Sequence, residues 1–218
     1  RSIGYDGKEN GMVFGSSRGD INRPGERDDH TAWTYDTHVT IGTAGTPAIG
    51  TEGQEGYVPA TSATDPKIKG TVYGSGENGH VFNDTEVTIH GGTIGIDDST
   101  DPGYKVTSNG IEYSGAEYPY RGNVYGGGCG TDMYYSGSIP DGHTAHDGGG
   151  DMYNSLAGIV YGNATVNITG GRVVRNVYGA GAMGSVTGRA VTTTANNVTT
   201  TTYIGGTTTI NISGGTEI

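Results

Sequence analysis

Apolar residues recur along the chain in two short patterns, the first being valine, an aromatic residue and glycine. Valine followed by an aromatic residue is typical of a short strand, because branched and aromatic side chains suit a pleated, half-buried surface. The glycine predicts a corner, since it adopts backbone conformations closed to other residues. The pattern occurs five times, at Val13-Phe14-Gly15, Val72-Tyr73-Gly74, Val124-Tyr125-Gly126, Val160-Tyr161-Gly162 and Val177-Tyr178-Gly179.

The second pattern is two branched apolar residues that are separated by one polar residue and are usually followed by two glycines. Residues two apart on a strand face the same side, so the pattern predicts a buried apolar face with Thr or Asn pointing outward. The paired glycines predict a corner at which a Cβ atom would clash. Copies occupy residues 39–41, 87–92, 166–171 and 210–215.

The two patterns alternate along the chain, with one interruption between Val124 and Val160. Such alternation predicts a repeat protein in which equivalent strands of successive repeats pair around one narrow core. The shortest repeat runs 17 residues, from Val160 to Val177, and contains three apolar segments, which is typical of one rung of a parallel β-solenoid. We therefore expect a single all-β domain with stacked Tyr, Asn and Thr columns and long inserted loops, in approximate units at 13–71, 72–123, 124–176 and 177–218.

The composition favours this all-β interpretation over a helical or α/β fold. The chain has 218 residues, of which 43 are Gly and 32% are hydrophobic, and Leu156 is its one leucine. A helical core requires far more large aliphatic side chains. A glycine-rich chain can instead remain disordered, but the 15 Tyr and the ordered apolar pattern favour a folded β array.

The net charge restricts the classes of partner. The formal charge is −11, with only 12 Lys and Arg, so the basic surface needed to bind nucleic acid or an anionic membrane is missing. No apolar run is long enough for membrane insertion. An acidic surface suits an exported protein or one that takes up divalent cations.

Two smaller features bear on the context of the chain. Cys129 is the one cysteine, so no internal disulfide holds the fold; we interpret it as a small buried side chain, with a reactive thiol as the alternative. The chain begins at Arg1 without an initiating Met, and we expect it to be a piece of something longer.

The repeat resembles a known family. The pattern G-G-x-V-x-x-N-V-Y-G-x-G at residues 170–181, preceded by G-N-A-T-V-N-I-T-G-G at 162–171, resembles the glycine-rich surface repeats of very long secreted proteins in gut Bacteroidota and some Firmicutes. The resemblance covers residues 70–95 and 121–218. It implies a right-handed parallel β-helix at the cell surface or in the extracellular space, with an adhesin-like or fibre-forming role and no catalytic residues.

An acidic loop after one predicted strand is a candidate calcium site. Asp97, Asp98 and Asp101 lie within five residues of one another, and carboxylate oxygens are the ligands that Ca²⁺ prefers. The alternative is a solvated turn, since Asp side chains also bond their own backbone. Ser99 lies in the same loop, in a short Asp-Ser-Thr pattern that resembles the O-glycosylation acceptor of Bacteroidota.

Histidines in the long insertion after Cys129 offer a second candidate metal site. His143, His146 and Asp147 have residue types that bind Zn²⁺, although a mobile polar loop is the alternative. The segment Asp28-Asp29-His30 carries the same two interpretations.

Tyrosines crowd the middle of the chain. Exposed tyrosines on a flat face can stack on sugars or pack against another subunit; they can equally cover a seam within the same chain. The candidate binding surface consists of Tyr113, Tyr118, Tyr120, Tyr134 and Tyr135.

We therefore expect a non-catalytic structural or adhesive β-solenoid that associates end to end or continues into further repeats. The first alternative is a carbohydrate-active β-helix enzyme, which needs clustered carboxylates with a basic residue on one strand face. Arg172 and Arg175 near Asp147 and Asp151 are its candidates. The second alternative is a glycan-binding module without catalysis. No cofactor is expected other than calcium.

Overall fold

A computed structural model describes residues 2–3, 11–19, 32–61, 63–131, 133–142 and 150–218. Within these ranges the chain is all-β, as predicted, with one short 3-10 helix at Gly115–Glu117. No helix in the described ranges is long and apolar enough to cross a bilayer. The strands are β1 Ser2–Ile3, β2 Val13–Phe14, β3 Trp33–Thr34, β4 Thr37–Ile41, β5 Lys67–Ile68, β6 Val72–Tyr73, β7 His80–Val81, β8 Thr85–Ile89, β9 Thr93–Ile94, β10 Lys105–Ser108, β11 Ile111–Ser114, β12 Val124–Tyr125, β13 Met133–Tyr134, β14 Met152–Tyr153, β15 Ala164–Ile168, β16 Arg172–Val173, β17 Val177–Tyr178, β18 Arg189–Ala195, β19 Val198–Ile204 and β20 Thr208–Ile212.

Three parallel sheets of four strands each form the body of the protein. Sheet 1 has the order β1-β5-β9-β16, sheet 2 the order β2-β6-β12-β17, and sheet 3 the order β4-β8-β15-β20. The chain visits the sheets in the order 1, 2, 3 and repeats this sequence four times. We call each visit to all three sheets a layer, so that β1, β2 and β4 form layer 1 and β16, β17 and β20 form layer 4. Neighbouring strands in every sheet come from successive layers.

The two apolar patterns pair in register between layers, as predicted. In sheet 2 the valines of the first pattern align, with Val13, Val72, Val124 and Val177 as successive partners. In sheet 3 the branched residues of the second pattern align from β4 to β20 in the same way. The parallel pairing arises because each sheet receives the same sequence pattern from every layer, so that only one register buries all the apolar side chains.

The inward side chains of the three sheets form one apolar core. Strands β5, β9 and β16 of sheet 1 and each strand of sheet 2 contribute one branched residue, and each strand of sheet 3 contributes two. A single layer therefore cannot bury its own apolar residues. The buried residues of this core are Val39, Ile41, Ile68, Val72, Val87, Ile89, Ile94, Val124, Val166, Ile168 and Val173.

An aromatic column runs along sheet 2. The rings of Phe14, Tyr73, Tyr125 and Tyr178 stack with centroid distances of 4.8, 5.0 and 4.7 Å and nearly parallel planes. These distances match the spacing of about 4.8 Å between paired strands. A parallel Asn–Asn contact lies on sheet 3, where the Asn211 amide donates to Asn167 Oδ1 at 2.8 Å. The predicted Tyr ladder is therefore confirmed. The Asn contact joins layers 3 and 4 alone, since Thr40 and Thr88 occupy the equivalent positions of layers 1 and 2.

Glycines in sheet 2 allow the layers to approach closely. A Cβ atom on Gly15 would overlap the carbonyl oxygen of Gly74, and one on Gly74 would overlap that of Gly126. The same carbonyls accept buried hydrogen bonds from sheet 3, because Thr85 Oγ1 donates to Gly126 O at 2.6 Å and Thr37 Oγ1 donates to Gly74 O. The glycine of the first pattern is thus required for backbone contact between layers.

The predicted 17-residue rung from Val160 to Val177 is wrong. Val177 pairs with Val124, whereas Val160 forms bridges with Val81 and Val186 and continues the small sheet of β3 and β7. The fourth copy of the first pattern therefore lies in a different column. The sequence does not separate the two columns, because both place a valine inward, an aromatic residue outward and a glycine against a neighbouring backbone. In this second column, a Cβ atom on Gly162 would overlap the backbone of Asn83.

The long insertions between core strands are mostly antiparallel hairpins. They comprise β10 with β11, β13 with β14, β18 with β19, and an arm held by bridges between residues 43–49 and 58–64. Their strands are largely exposed. The insertions therefore extend the layers without changing the core.

We predict that Gly74→Ala prevents folding or strongly destabilises the protein. The added Cβ atom would meet two backbone atoms of Gly126 as well as Val87, so relief requires the layers to separate. The loss should exceed about 4 kcal/mol, the range of severe single substitutions, in chemical denaturation followed by circular dichroism. Gly137→Ala is the control because no atom lies within 4 Å of its Cβ position. Equal stability of the two variants would contradict the close-contact argument.

Candidate functional site

The acidic loop after β9 brings its three aspartates around one small pocket. Asp97, Asp98 and Asp101 line a space of about 40 Å³ together with Lys67 and Lys69. Each carboxylate already has a protein partner, and the two ammonium groups contribute positive charge to the same pocket. Among the described residues, no group of three or more potential ligands has metal-binding geometry. Calcium binding by this loop remains a prediction.

The partners of the three carboxylates differ. Asp97 pairs with Arg172, across to layer 4. Asp98 Oδ1 accepts hydrogen bonds from the backbone N–H and the hydroxyl of Thr100, at 2.9 and 2.7 Å, and these bonds lower the pKa of Asp98. This geometry is that of the turn that was the alternative interpretation.

Asp101 forms an ion pair with Lys69 that is more buried than the pair between Asp97 and Arg172. Its carboxylate lies 3.1 Å from Lys69 Nζ, and the two side chains are 19% and 13% exposed. Burial acts to raise the pKa of Asp101, but the hydrogen bond from the Gly103 N–H and the charge of Lys69 outweigh it, so that the pKa falls below its ordinary value. The pair fastens the loop to the segment that follows β5.

Ser99 is exposed at the tip of the same loop. Its hydroxyl is accessible from solvent, which modification would require. Glycosylation of Ser99 remains a prediction.

The outer face of sheet 1 carries the charged groups that an enzyme would need. Arg172 lies between Asp97, with which it pairs, and Glu217, at 3.7 Å, and a shallow pocket of about 260 Å³ beside it also includes Asp65. A glycosidase requires one carboxyl group that donates a proton and one that stays ionised. Asp97 and Glu217 both face the Arg172 guanidinium. The ion pair between Arg172 and Asp97 links layer 4 to layer 3.

Asp151, which was also proposed for an enzyme, belongs to an inserted hairpin. Asp151 accepts hydrogen bonds from the backbone N–H and the hydroxyl of Ser136 and closes the hairpin of β13 and β14. Its pKa is lowered by these two bonds. Asp147, His143 and His146 lie outside the described residues, as do the residues of the segment Asp28-Asp29-His30.

Part of the predicted tyrosine surface is a packing cluster around one buried ring. Tyr118 is only 2% exposed, so its assignment to a binding surface is wrong. Its ring contacts those of Tyr113 and Tyr120, at 5.5 Å each, and the Arg121 guanidinium lies over it at 5.4 Å. The cluster packs the β10–β11 insertion against the body, which was the alternative interpretation.

The remaining tyrosines of that prediction are dispersed. Tyr120 is 64% exposed and Tyr135 is half-buried. Tyr134 belongs to β13, where its backbone pairs with Met152. The structure therefore does not assemble the five tyrosines into one exposed face.

An exposed group of aromatic rings lies elsewhere, on the small sheet of β3 and β7. We call it the aromatic ledge and define it as Trp33, Tyr35, Phe82 and Tyr161. The first three are 39%, 60% and 42% exposed. The sequence signal was the spacing of Trp33 and Tyr35, two residues apart at the end of β3, but their pairing with layers 2 and 3 could not be read from it.

Cys129 is a half-buried residue beside the aromatic column. Burial raises the pKa of its thiol, against the effect of a hydrogen bond with Tyr73. A raised pKa decreases the thiolate fraction and hence the reactivity. The environment matches the interpretation as a structural side chain.

Comparison with family models, with curated proteins and with solved structures finds no match to this chain.

We predict that Lys69→Met destabilises the protein by about 1–3 kcal/mol, because it leaves a largely buried carboxylate without its cation. The folded-state pKa of Asp101 is lowered, so its stabilising contribution is present above the unfolded pKa of about 3.9 and is lost as pH falls through the folded value. The difference between wild type and variant should therefore shrink below about pH 4. Urea unfolding at a series of pH values measures it.

The control for this prediction is Lys105→Met. Lys105 and Glu112 form an exposed pair, with side chains 64% and 58% exposed, and such pairs contribute little. A loss as large for Lys105→Met as for Lys69→Met would contradict the role of burial.

We predict that calcium bound by the acidic loop raises the melting temperature, by an amount that grows with the logarithm of the ratio of free calcium to its dissociation constant. Melting is compared in millimolar calcium and in EDTA for wild type, Asp98→Asn and Asp141→Asn. The gain should vanish in Asp98→Asn and persist in Asp141→Asn, which alters an exposed residue outside the loop. Identical melting of the wild-type protein in both conditions would exclude the calcium site.

Proposed function

We propose that the chain is a segment of an extracellular, right-handed parallel β-solenoid with a structural and adhesive role and no catalytic activity. The observation that carries the proposal is the fixed order in which the chain visits three parallel sheets, four times in succession. Such an arrangement grows by adding layers, each of which needs a neighbour to bury its apolar face. The right hand follows from the strong preference of crossover connections between parallel strands.

The polar contacts between layers support a structural role. Asp36 Oδ1 accepts from the backbone N–H of Asp84 at 3.0 Å, Asp84 Oδ1 from that of Asn163 at 2.7 Å, and Asn163 Oδ1 from that of Thr207 at 3.2 Å. Each layer thus satisfies a backbone donor of the next. A column of this kind stabilises an extended array and serves no evident catalytic purpose.

The face of layer 4 supports association with a further layer. Strand β20 is paired only with β15 in the described structure, and its inner residues Ile210 and Ile212 are 41% and 49% exposed, whereas their partners Val166 and Ile168 are fully buried. An edge with unpaired backbone groups and exposed apolar residues is a template for another strand. We propose that this strand belongs to a second copy, arranged head to tail, or to further repeats of the same protein.

The two ends of the layer stack have matching chemistry. Layer 4 presents Tyr178, Ile210 and Ile212, and layer 1 presents Phe14, Val39 and Ile41 at equivalent positions of sheets 2 and 3. A head-to-tail contact would therefore continue the aromatic column and the apolar rows. Such a contact is heterologous and repeats without closing, so it builds a filament.

An extracellular location and adhesive role rest on the resemblance to secreted surface repeats and on the acidic charge of −11. Catalysis is not part of the proposal, because the carboxylates on sheet 1 share one guanidinium. The units at 13–71, 72–123, 124–176 and 177–218 each begin at a strand of sheet 2 and include one strand of sheet 3, and we propose them as the repeats of one domain.

We predict that the wild-type chain forms end-to-end oligomers that lengthen with concentration, and that the double variant Ile210→Lys, Ile212→Lys does not. Charges on the layer 4 face oppose pairing of a further strand, whereas the half-exposed positions should tolerate them without unfolding. Sedimentation velocity and electron microscopy measure the assembly.

Val198→Lys is the matched control, since Val198 is 64% exposed and belongs to β19 of an inserted hairpin, not to β20. It should assemble like wild type. A wild-type chain that stays monomeric at high concentration would contradict end-to-end self-association.

A further inference from the structure

The aromatic ledge is built on three successive layers. Trp33 and Tyr35 come from the first, Phe82 from the second and Tyr161 from the third, because the small sheet pairs Thr34 with Val81 and Val81 with Val160. Backbone hydrogen bonds from Phe82 to Thr34 and from Tyr161 to Val81 hold this column, at 2.9 and 3.0 Å. The rings therefore stand on paired backbone.

The rings of the ledge support one another. Trp33 is parallel to Tyr161, with centroids 5.8 Å apart, and lies 4.8 Å from the ring of buried His80. Phe82 contacts Tyr35 at 5.7 Å and Trp33 at 6.3 Å. These contacts restrict the rings while leaving part of each surface open, so that a ligand could bind without first ordering them.

Polar groups border the ledge on two sides. Asn83 Nδ2 donates to Asp36 Oδ1 at 2.8 Å, and both residues directly follow ledge residues in the chain. The Arg189 guanidinium lies 4.8 Å from the centre of the Phe82 ring, and within the described ranges no carboxylate lies at ion-pair distance from it. Apolar faces with hydrogen-bonding groups at their margin match a ligand that has both kinds of surface, as sugar rings do.

The size of the ledge favours a small or chain-like ligand over a protein. Three aromatic side chains of about 150–250 Å² each, roughly half exposed, offer about 300 Å² in total. A stable protein interface buries about 800 Å² on each partner. A second copy of the chain on this face would therefore need contacts that the ledge does not supply.

The charge around the ledge favours a neutral ligand. The chain carries −11, and Asp36 directly follows the ledge residue Tyr35 and accepts a hydrogen bond from the Asp84 N–H. Among the described residues, Arg189 is the cation that contacts a ring of the ledge. A polyanionic glycan would meet net repulsion here, whereas uncharged hydroxyl groups can bond with Asp36, Asn83 and Arg189.

We propose that the aromatic ledge binds a linear, neutral glycan, with sugar rings stacked on Trp33, Tyr35 and Phe82 and hydroxyl groups bonded to Arg189 and the Asp36–Asn83 pair. This inference rests on the proposed adhesive function and specifies its ligand class. Self-association through layer 4 involves other residues, so the two can fail separately.

Trp33 gives a direct measurement, because it is the one tryptophan of the chain. The wild-type protein is titrated with three neutral hexasaccharides, of β-1,4-linked glucose, xylose and mannose, and with the hexamer of galacturonic acid as the anionic probe. We expect a saturable change in tryptophan fluorescence with at least one neutral chain. Tyr35→Ala and Arg189→Gln should each weaken this binding about five- to tenfold, the loss of one stacking or polar contact.

Tyr120→Ala is the matched control, since Tyr120 is 64% exposed, close to the 60% of Tyr35, and lies outside the ledge. It should bind like wild type, and circular dichroism verifies that each variant is folded. Absence of a response to all three neutral chains overturns the proposal. So does binding of the anionic probe alone, or neutral binding that Tyr35→Ala leaves unchanged. Sedimentation of the same samples reports self-association independently.

Discussion

The close contact of glycine backbone between neighbouring layers is the constraint on which the other interactions depend. Strands pair at about 4.8 Å, and in sheet 2 the glycine after each aromatic residue lies so near the next layer that a Cβ atom would overlap a carbonyl oxygen. At this separation the rings of the aromatic column reach stacking distance, and a buried threonine hydroxyl of one layer bonds the glycine carbonyl of the next. In layer 3 the residue that pairs with Thr85 is Ala164, which has no hydroxyl. The hydrogen bond from threonine to the glycine carbonyl is therefore not required in every layer.

The stacking of layers gives inward-facing and outward-facing residues of the strands different roles. Inward residues are nearly invariant in type, since each must fill the same narrow core. Outward residues vary, and they create local sites that combine several layers: the charged face around Arg172 joins layers 3 and 4, while the aromatic ledge draws on layers 1 to 3. Insertions leave from the corners as hairpins, so they add surface without altering the register. Recognition can therefore be built across layers as well as on loops.

The proposed solenoid and the proposed glycan site place different demands on the same sequence. Growth by layers requires the exposed apolar row of β20 to meet another strand, whereas binding requires the ledge to stay open. The two surfaces lie on different strands, β20 in one case and β3 and β7 in the other, so assembly need not obstruct recognition. An array of layers would then present one or more ledges along its length.

The alternation of two short apolar patterns was sufficient to predict an all-β fold, parallel pairing between repeats, and the column of aromatic side chains. These features follow from local periodicity, because residues two apart share a strand face and glycine permits corners. The sequence predicted a turn as the alternative for the acidic loop, and the hydrogen bonds from Thr100 to Asp98 match that turn. The sequence did not show that Arg172 pairs with Asp97 and Lys69 with Asp101, because both cations are distant along the chain. Which column each copy joins depends on pairing between distant segments, and for that reason the sequence pattern misplaced Val160 and Tyr161.

Only the tertiary structure decided that Tyr118 is buried and that Trp33, Tyr35 and Phe82 form one exposed surface, because burial depends on what the neighbouring layers and insertions cover.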